Sequence, residues 1–288
     1  MKTAICVDPV KSRCGEGLLW DETRGLLWWV DIAAHTLCSH APGTGVNRKI
    51  AMPGLISALA LHESGRLLIA TKSGLGWVDP DSGAVSVFDC PEPDKPFSRP
   101  NDMAVDQEGA LWLGTMSEGA KGPFGALYRY GAGGRDTALS ETTISNGLDW
   151  SPDGSRFYFI DSVPGRIWLY TQDEWSILRT CDEDFGRPDG MCVDSAGTLW
   201  VAICNKGCVL GLDQDGNVID KIEIPCRIVT NCAFGGADLS TLYVTTGTFD
   251  LSPEEMVEQP YSGGLFAVQM DVPGKLPNTA KWPEIPQG

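Results

Sequence analysis

Six oxygen-bearing side chains recur along this chain at a nearly fixed distance from a bulky anchor. Glu16, Ser57, Asn101, Asn146, Asp189 and Asn231 lie 11 or 12 residues before Trp28, Leu68, Trp112, Tyr158, Trp200 and Tyr243, respectively. The set is one Glu, one Asp, three amides and one hydroxyl, with no Lys or Arg. Such oxygens are donors for a hard cation such as Ca²⁺, Mg²⁺ or Mn²⁺. Gathered in one place, they would form an ion site. Nucleophilic hydrolysis by a Ser-His-Asp set is disfavoured: the only histidines are His35, His40 and His62, and there is no Gly-x-Ser-x-Gly elbow. No Gly-rich phosphate loop stands in the strand-turn-helix context that a nucleotide site needs.

The elements that must position these residues are short strands in a long-period repeat. "RPNDMAVDQEGALWLGT" from Arg99 and "RPDGMCVDSAGTLWVAI" from Arg187 are two copies of one phrase, 88 residues apart. Looser copies begin at Glu16, Ser57, Asn146 and Asn231, and the six anchors are spaced 40, 44, 46, 42 and 43 residues apart. Each copy reads as a strand, an Asp/Gly-rich turn and a second strand. Third strands follow at "GLGWVD", "GALYRY", "GRIWLY" and "GCVLGLD", and fourth strands at "AVSVFD" and "NVIDKIEI". This period with four strands per unit predicts an all-β, six-bladed β-propeller of antiparallel strands, one domain over residues 1–288. The last blade runs out of strand signal near Val268. "TAICVD" from Thr3 is the spare strand that completes it and closes the ring. The six polar residues then open the innermost strands and encircle one mouth of the channel. The long returns from Ser117 and Gly247 are expected to rise on that same side as rims, the second (247–264) with the length of a lid.

Composition narrows the partners. Twenty-two basic against 38 acidic residues give a net charge of −16, which argues against nucleic acid or an anionic membrane. "MKTAICVDPVKS" has no apolar core of signal-peptide length, and no stretch could span a bilayer, so a cytoplasmic location is expected. The ten cysteines are scattered, which fits reduced thiols rather than a disulfide framework. A monomer is compatible with the sequence, which sets no oligomeric state.

"GEGLLW", "RPNDMAVD", "GTMSEG", "SNGLDWS", "RPDGMCVD" and "TNCAFGG", in that order, resemble the senescence marker protein-30/gluconolactonase/regucalcin family. That family consists of six-bladed propellers that bind one divalent cation and hydrolyse sugar lactones. The resemblance runs from about Gly15 to "GGLFAV". It implies that Glu16, Asn146 and Asp189 are the metal ligands and that Asp189 is the general base. It also implies that Arg99, Asn101 and Glu118 contact the substrate. The cofactor implied is one divalent ion, Ca²⁺ foremost, with Zn²⁺, Mg²⁺, Mn²⁺ and Fe²⁺ as alternatives.

The function expected on this basis is hydrolysis of an aldonolactone to the aldonic acid. The ion would polarise the lactone carbonyl while Asp189 accepts a proton from water. Arg99 would act as a fixed donor fork on ring or carboxylate oxygens. Two other readings use the same mouth: a calcium-binding regulatory protein without catalysis, and a hydrolase of other esters or organophosphates. Arg99 and Asn101 favour an enzyme, because an ion buffer has no need of them.

Overall fold

In the computed structural model, which describes residues 2–283, the turns of the repeat show why the phrase recurs. Asp106 and Asp194 end the first strand of their copies. The Asp194 carboxylate accepts the N–H groups of Ala196 and Thr198, both at 2.9 Å, and the indole Nε1 of Trp200, also at 2.9 Å. Asp106 does the same for Glu108, Ala110 and Trp112. One side chain thus closes the turn and satisfies the polar edge of a buried tryptophan on the returning strand. The apolar faces of the strands then pack blade on blade.

The result is six antiparallel sheets, as the period predicts. Blade 1 comprises Gly15–Asp21, Leu26–Asp31, Thr36–Ala41 and Val46–Ala51, and blade 2 comprises Ile56–His62, Leu67–Thr71, Gly74–Val78 and Val85–Asp89. Blade 3 comprises Ser98–Val105, Leu111–Ser117, Gly125–Gly131 and Gly134–Thr142. Blade 4 comprises Ser145–Trp150, Phe157–Asp161, Arg166–Thr171 and Glu174–Thr180, and blade 5 comprises Pro188–Val193, Leu199–Ile203, Cys208–Leu212 and Val218–Glu223. Blade 6 takes Val229–Gly235, Thr241–Thr246 and Leu265–Gln269 from the end of the repeat. Its fourth strand is Ala4–Asp8, antiparallel to Leu265–Gln269, so the N-terminal strand closes the ring. Each innermost strand contacts those of the blades on either side, and blade 6 returns to blade 1. Six apolar clusters fill the six interfaces between neighbouring blades. At that between blades 3 and 4, Trp150 stacks on Phe157 at 4.6 Å.

Met1 and residues 284–288, which the single-domain expectation includes, lie outside the described residues. The chain beyond Gln269 carries no strand pattern, yet it is tied down as a strap across the far face of the ring. Gly274 bridges to Asp194 of blade 5, and the Lys275 ammonium pairs with Asp149 of blade 4. Asn278 donates to the Val105 carbonyl of blade 3 at 2.9 Å, and Thr279–Ala280 pair in parallel with Leu61 and His62 of blade 2. Trp282 then packs against Tyr130 at 4.5 Å. All ten cysteines are free thiols, with the Cys192 and Cys232 sulfurs 3.8 Å apart. Among the described residues, no helix is long and apolar enough to cross a membrane.

Replacing the 1%-exposed Asp194 with Ala opens its turn and strands the Trp200 indole. The expected loss of stability is about 1–3 kcal/mol, the usual cost of an orphaned buried polar group. Urea unfolding measures it. Trp200→Phe should cost less in the Asp194→Ala background than alone, because the shared hydrogen bond is already gone.

Candidate functional site

A regular strand sends successive side chains to opposite faces, so a side chain near the axis must be aimed there by a break in the pairing. Every innermost strand carries one at its mouth end. The register slips between Glu16 and Leu19, Ile56 and Ala58, Pro100 and Asp102, Ser145 and Leu148, Pro188 and Met191, and Val229 and Asn231. Each is a β-bulge at or beside the polar residue, the usual device for re-aiming a side chain. Gly147 and Gly190, which follow Asn146 and Asp189, allow the inner strands to crowd together. A Cβ on Gly190 would lie 2.4 Å from Asn231 Cγ, and one on Gly147 would lie 2.5 Å from the Met191 nitrogen.

The bulges bring Glu16, Ser57, Asn101, Asn146, Asp189 and Asn231 to one end of the channel, all buried. Asn101 Nδ2 donates to Asn146 Oδ1 at 2.8 Å, and Asn231 Nδ2 donates to Glu16 Oε2 at 2.8 Å. Asn146 Nδ2 donates to Ser162 Oγ at 2.7 Å, and that hydroxyl donates to the Pro188 carbonyl at 2.7 Å. This relay fixes the Asn146 amide with its oxygen toward Asn101. Glu16 Oε2 also accepts the Gly17 N–H at 3.2 Å. Ser57 turns its hydroxyl to the Pro100 carbonyl at 3.1 Å, which commits its proton to the backbone.

Arg99, half-buried, donates through Nη1 to Asn101 Oδ1 at 2.8 Å and to the Pro100 carbonyl at 2.9 Å. Glu118 stands higher, on a short 3₁₀ turn, 2.6 Å from Lys72 of blade 2. That ion pair and the nearby Arg99 hold the Glu118 carboxyl below its ordinary range. The other long return carries the helix Pro253–Glu258, with a Ser252/Glu255 capping box. Both returns lie on the ring side, since Gly247 bridges to Cys14 beside Glu16.

The electrostatics are those of an anionic well. Burial pushes the Glu16 carboxyl well up, and Asp189 and Asp102 push it further. Burial also raises Asp189, against the lowering pull of Arg187. Asp102, half-buried, is raised to about 6 by the same loss of solvent. Sequence reasoning missed four residues here. Asp102 faces a cavity of about 120 Å³ inside the channel, shared with Asp149 and Lys275. Cys204 lies against Asp189, Arg187 donates to its sulfur at 3.0 Å, and Lys72 neutralises Glu118. Asp102 and Arg187 stand in the quoted repeats beside residues already singled out. Nothing in the sequence marks Cys204 or Lys72, because their roles arise from turns of other strands.

These residues fit a hard divalent ion. Two buried carboxylates repelling one another, beside an amide oxygen held in place from behind, form a donor set that positive charge would relieve. Among the described residues, no three His, Cys, Asp or Glu side chains converge as a cage, so such an ion would depend on the Asn146 oxygen.

Fold and ring place the chain in a known class. Residues 14–248 match the SMP-30/Gluconolactonase/LRE-like region, and the chain belongs to that family. It is 34% identical over 281 residues to the 6-deoxy-6-sulfogluconolactonase of Pseudomonas putida, covering 95% of this chain and 97% of that one. It is 34% identical over 280 residues to human regucalcin, covering 91% and 93%. Among solved structures, a calcium-binding protein, regucalcin, from Agrobacterium tumefaciens superposes with a TM-score of 0.91 at 29% identity, covering 96% and 97%.

A carboxylate whose pKa is raised by folding destabilises the folded state above that pKa, and the penalty disappears as protonation sets in below it. With Asp102 raised to about 6, and Glu16 and Asp189 also raised, metal-free protein should therefore melt higher at pH 5.5 than at pH 8. Millimolar Ca²⁺ should raise Tm at pH 8 and shrink the difference. Scanning calorimetry of chelated and reloaded protein measures both; a melting point higher at pH 8 without the ion would contradict the charge arrangement.

Proposed function

We propose that this protein hydrolyses a sugar lactone to its aldonic acid at the ring-side mouth, with Glu16, Asn146 and Asp189 holding one divalent ion, Ca²⁺ foremost. The observation that carries the reading is the convergence of Glu16, Asn101, Asn146 and Asp189 at one buried mouth, with the Arg99 guanidinium bonded to Asn101. The sulfogluconolactonase relative, matched over almost the whole chain, supports a lactone as the substrate class. When bound, the ion supplies electrophilic polarisation of the lactone carbonyl.

The chain's own residues do the rest. Asp189 accepts the proton of the attacking water; because it would also hold the ion it is a weak base there, and most of the rate gain comes from polarisation of the carbonyl. Arg187 and the Cys204 thiol hold its orientation from behind. Arg99 presents its unspent N–H donors to ring and hydroxyl oxygens of the substrate, while its bond to Asn101 sets the direction of the fork. The Asn101 amide is fixed between Arg99 and Asn146, so it orients the lactone through contacts that need no rearrangement. Glu118, with Lys72, meets outer hydroxyls at the rim.

Asp189→Asn keeps the shape and removes the charge. It should lower kcat/KM by about 10²-fold or more, the range for loss of acid–base help. It should also weaken ion binding, measured by titrating chelated protein. Glu118→Ala should raise KM more than it lowers kcat, because a rim contact serves ground and transition states alike. Acid release from a panel of aldonolactones reads both. If Asp189→Asn keeps near-wild-type activity at saturating ion, Asp189 is not the base. Ca²⁺ binding without turnover of any lactone would favour the non-catalytic calcium-binding reading.

A further inference from the structure

The repeated phrase places two arginines at equivalent positions. Arg99 precedes Asn101 by two residues in blade 3, and Arg187 precedes Asp189 by two in blade 5. The ring therefore presents two guanidiniums to one mouth from blades separated by a single blade. The reading above uses Arg187 only behind Asp189.

Its surroundings leave it more to do. The backbone of Arg187 is locked to the turn after the second strand: its N–H donates to Asn205 Oδ1 at 2.9 Å, and its carbonyl accepts the Cys204 N–H at 2.9 Å. The side chain makes one hydrogen bond among the described residues, from Nη2 to Cys204 Sγ at 3.0 Å. Sulfur is a weak acceptor, and the rest of the fork remains free. No carboxylate ion-pairs with Arg187 or Arg99 among the described residues, although Asp189 and Asp250 lie near the former and Glu118 and Glu16 near the latter. Some cations on the same rim are ion-paired, Lys72 with Glu118 at 2.6 Å, Lys95 with Glu92 at 2.6 Å and Arg227 with Glu255 at 2.8 Å, while Arg13, Lys121 and Lys206 are exposed to solvent without an ion pair among the described residues. Arg99 and Arg187 differ from those solvated cations by position: each stands two residues before a ring residue, and its guanidinium is tied to Asn101 or to Cys204 rather than to a carboxylate.

We propose that Arg187 is a second substrate-binding fork, and that the lactone turned over here carries an anionic substituent such as a carboxylate, sulfonate or phosphate. This rests on the lactonase reading. Glu16 and Asp189 cancel the charge of a divalent ion, and Lys72 cancels Glu118. Arg99 and Arg187 are then left to face the substrate, and one of them suffices for the ring oxygens of a neutral sugar. A planar guanidinium with free paired N–H groups is the side chain suited to a carboxylate or phosphate oxygen pair.

The experiment compares glucono-1,5-lactone with its 6-phosphate and with a glucaric acid monolactone, on wild type, Arg187→Gln and Arg187→Lys, at saturating Ca²⁺. Wild-type kcat/KM should favour the two anionic lactones by about tenfold or more, as expected for a charge-assisted contact. Arg187→Gln should erase that preference, and Arg187→Lys should restore part of it. Equal losses on all three lactones in Arg187→Gln would overturn the proposal and leave Arg187 a positioning residue acting through Cys204 and Asp189. An unchanged preference would overturn it as well. If wild type hydrolyses none of the lactones, the lactonase reading itself fails. Arg187 is then judged by calorimetry with 6-phosphogluconate and gluconate: tighter binding of the phosphate that Arg187→Gln abolishes supports the fork, and equal binding of the two overturns it.

Discussion

Two carboxylates buried at one end of a channel set the terms for everything around them. Glu16 and Asp189 have lost their solvent, and the Glu16 carboxyl is pushed up by Asp189 as well as by burial. A protein keeps such a pair only where protons, hydrogen bonds or a cation offset the cost. The neighbours are arranged accordingly. Asn231 and the Gly17 N–H attend to one Glu16 oxygen, and Arg187 lies within reach of Asp189. Asn146 is held from behind by Ser162, so that its oxygen stays with the ring. The bulges exist to bring these groups together, and the blades exist to hold the bulges in register.

The repeat was legible because its physical cause is local. An Asp that closes a turn and meets a tryptophan six residues later leaves the same pattern in each strong copy, as Asp106–Trp112 and Asp194–Trp200 show. Closure by Ala4–Asp8 was legible for a related reason: a blade one strand short and a strand without a blade imply one another. The bulges were not legible, since an extra residue in one strand is defined by the partner it fails to meet. The Gly that follows Glu16, Asn146 and Asp189 was the available hint. The strap from Gly274 to Trp282 was invisible for the opposite reason: bridges and single contacts hold it to five blades, and none of these imposes a period on its sequence.

The two Arg-Pro phrases show how a repeat becomes a site. Ring geometry makes Asn101 and Asp189 equivalent, and chemistry makes them different. Asn101, neutral, can donate to Asn146 and accept from Arg99 at the same time. Asp189 can only accept while ionised, and among the described residues no N–H donates to its carboxylate, which lies against the Cys204 thiol. Both amide N–H groups are thus spent on Ser145 and Asn146, which leaves Asn101 only the second lone pair of Oδ1, whereas the carboxylate keeps capacity for an ion, a proton or both. One substitution between copies changes what equivalent ring positions can donate and accept.

Joining the first strand of the chain to the last blade also has a consequence for assembly during synthesis. Ala4–Asp8 leaves the ribosome before any of the blades, and its partner, Leu265–Gln269, is made about 260 residues later, which at about 5–20 residues per second is a wait of tens of seconds. Until Val229–Gly235 and Thr241–Thr246 have been made, blade 1 has no neighbour on that side, the Trp20–Trp29–Tyr243 cluster is open, and Glu16 lacks its Asn231 partner. The end of the channel that carries the buried oxygen ring is therefore among the last parts of the molecule to be completed, and a nascent chain halted before blade 6 would carry every blade-5 residue of the ring without the Asn231 that meets Glu16.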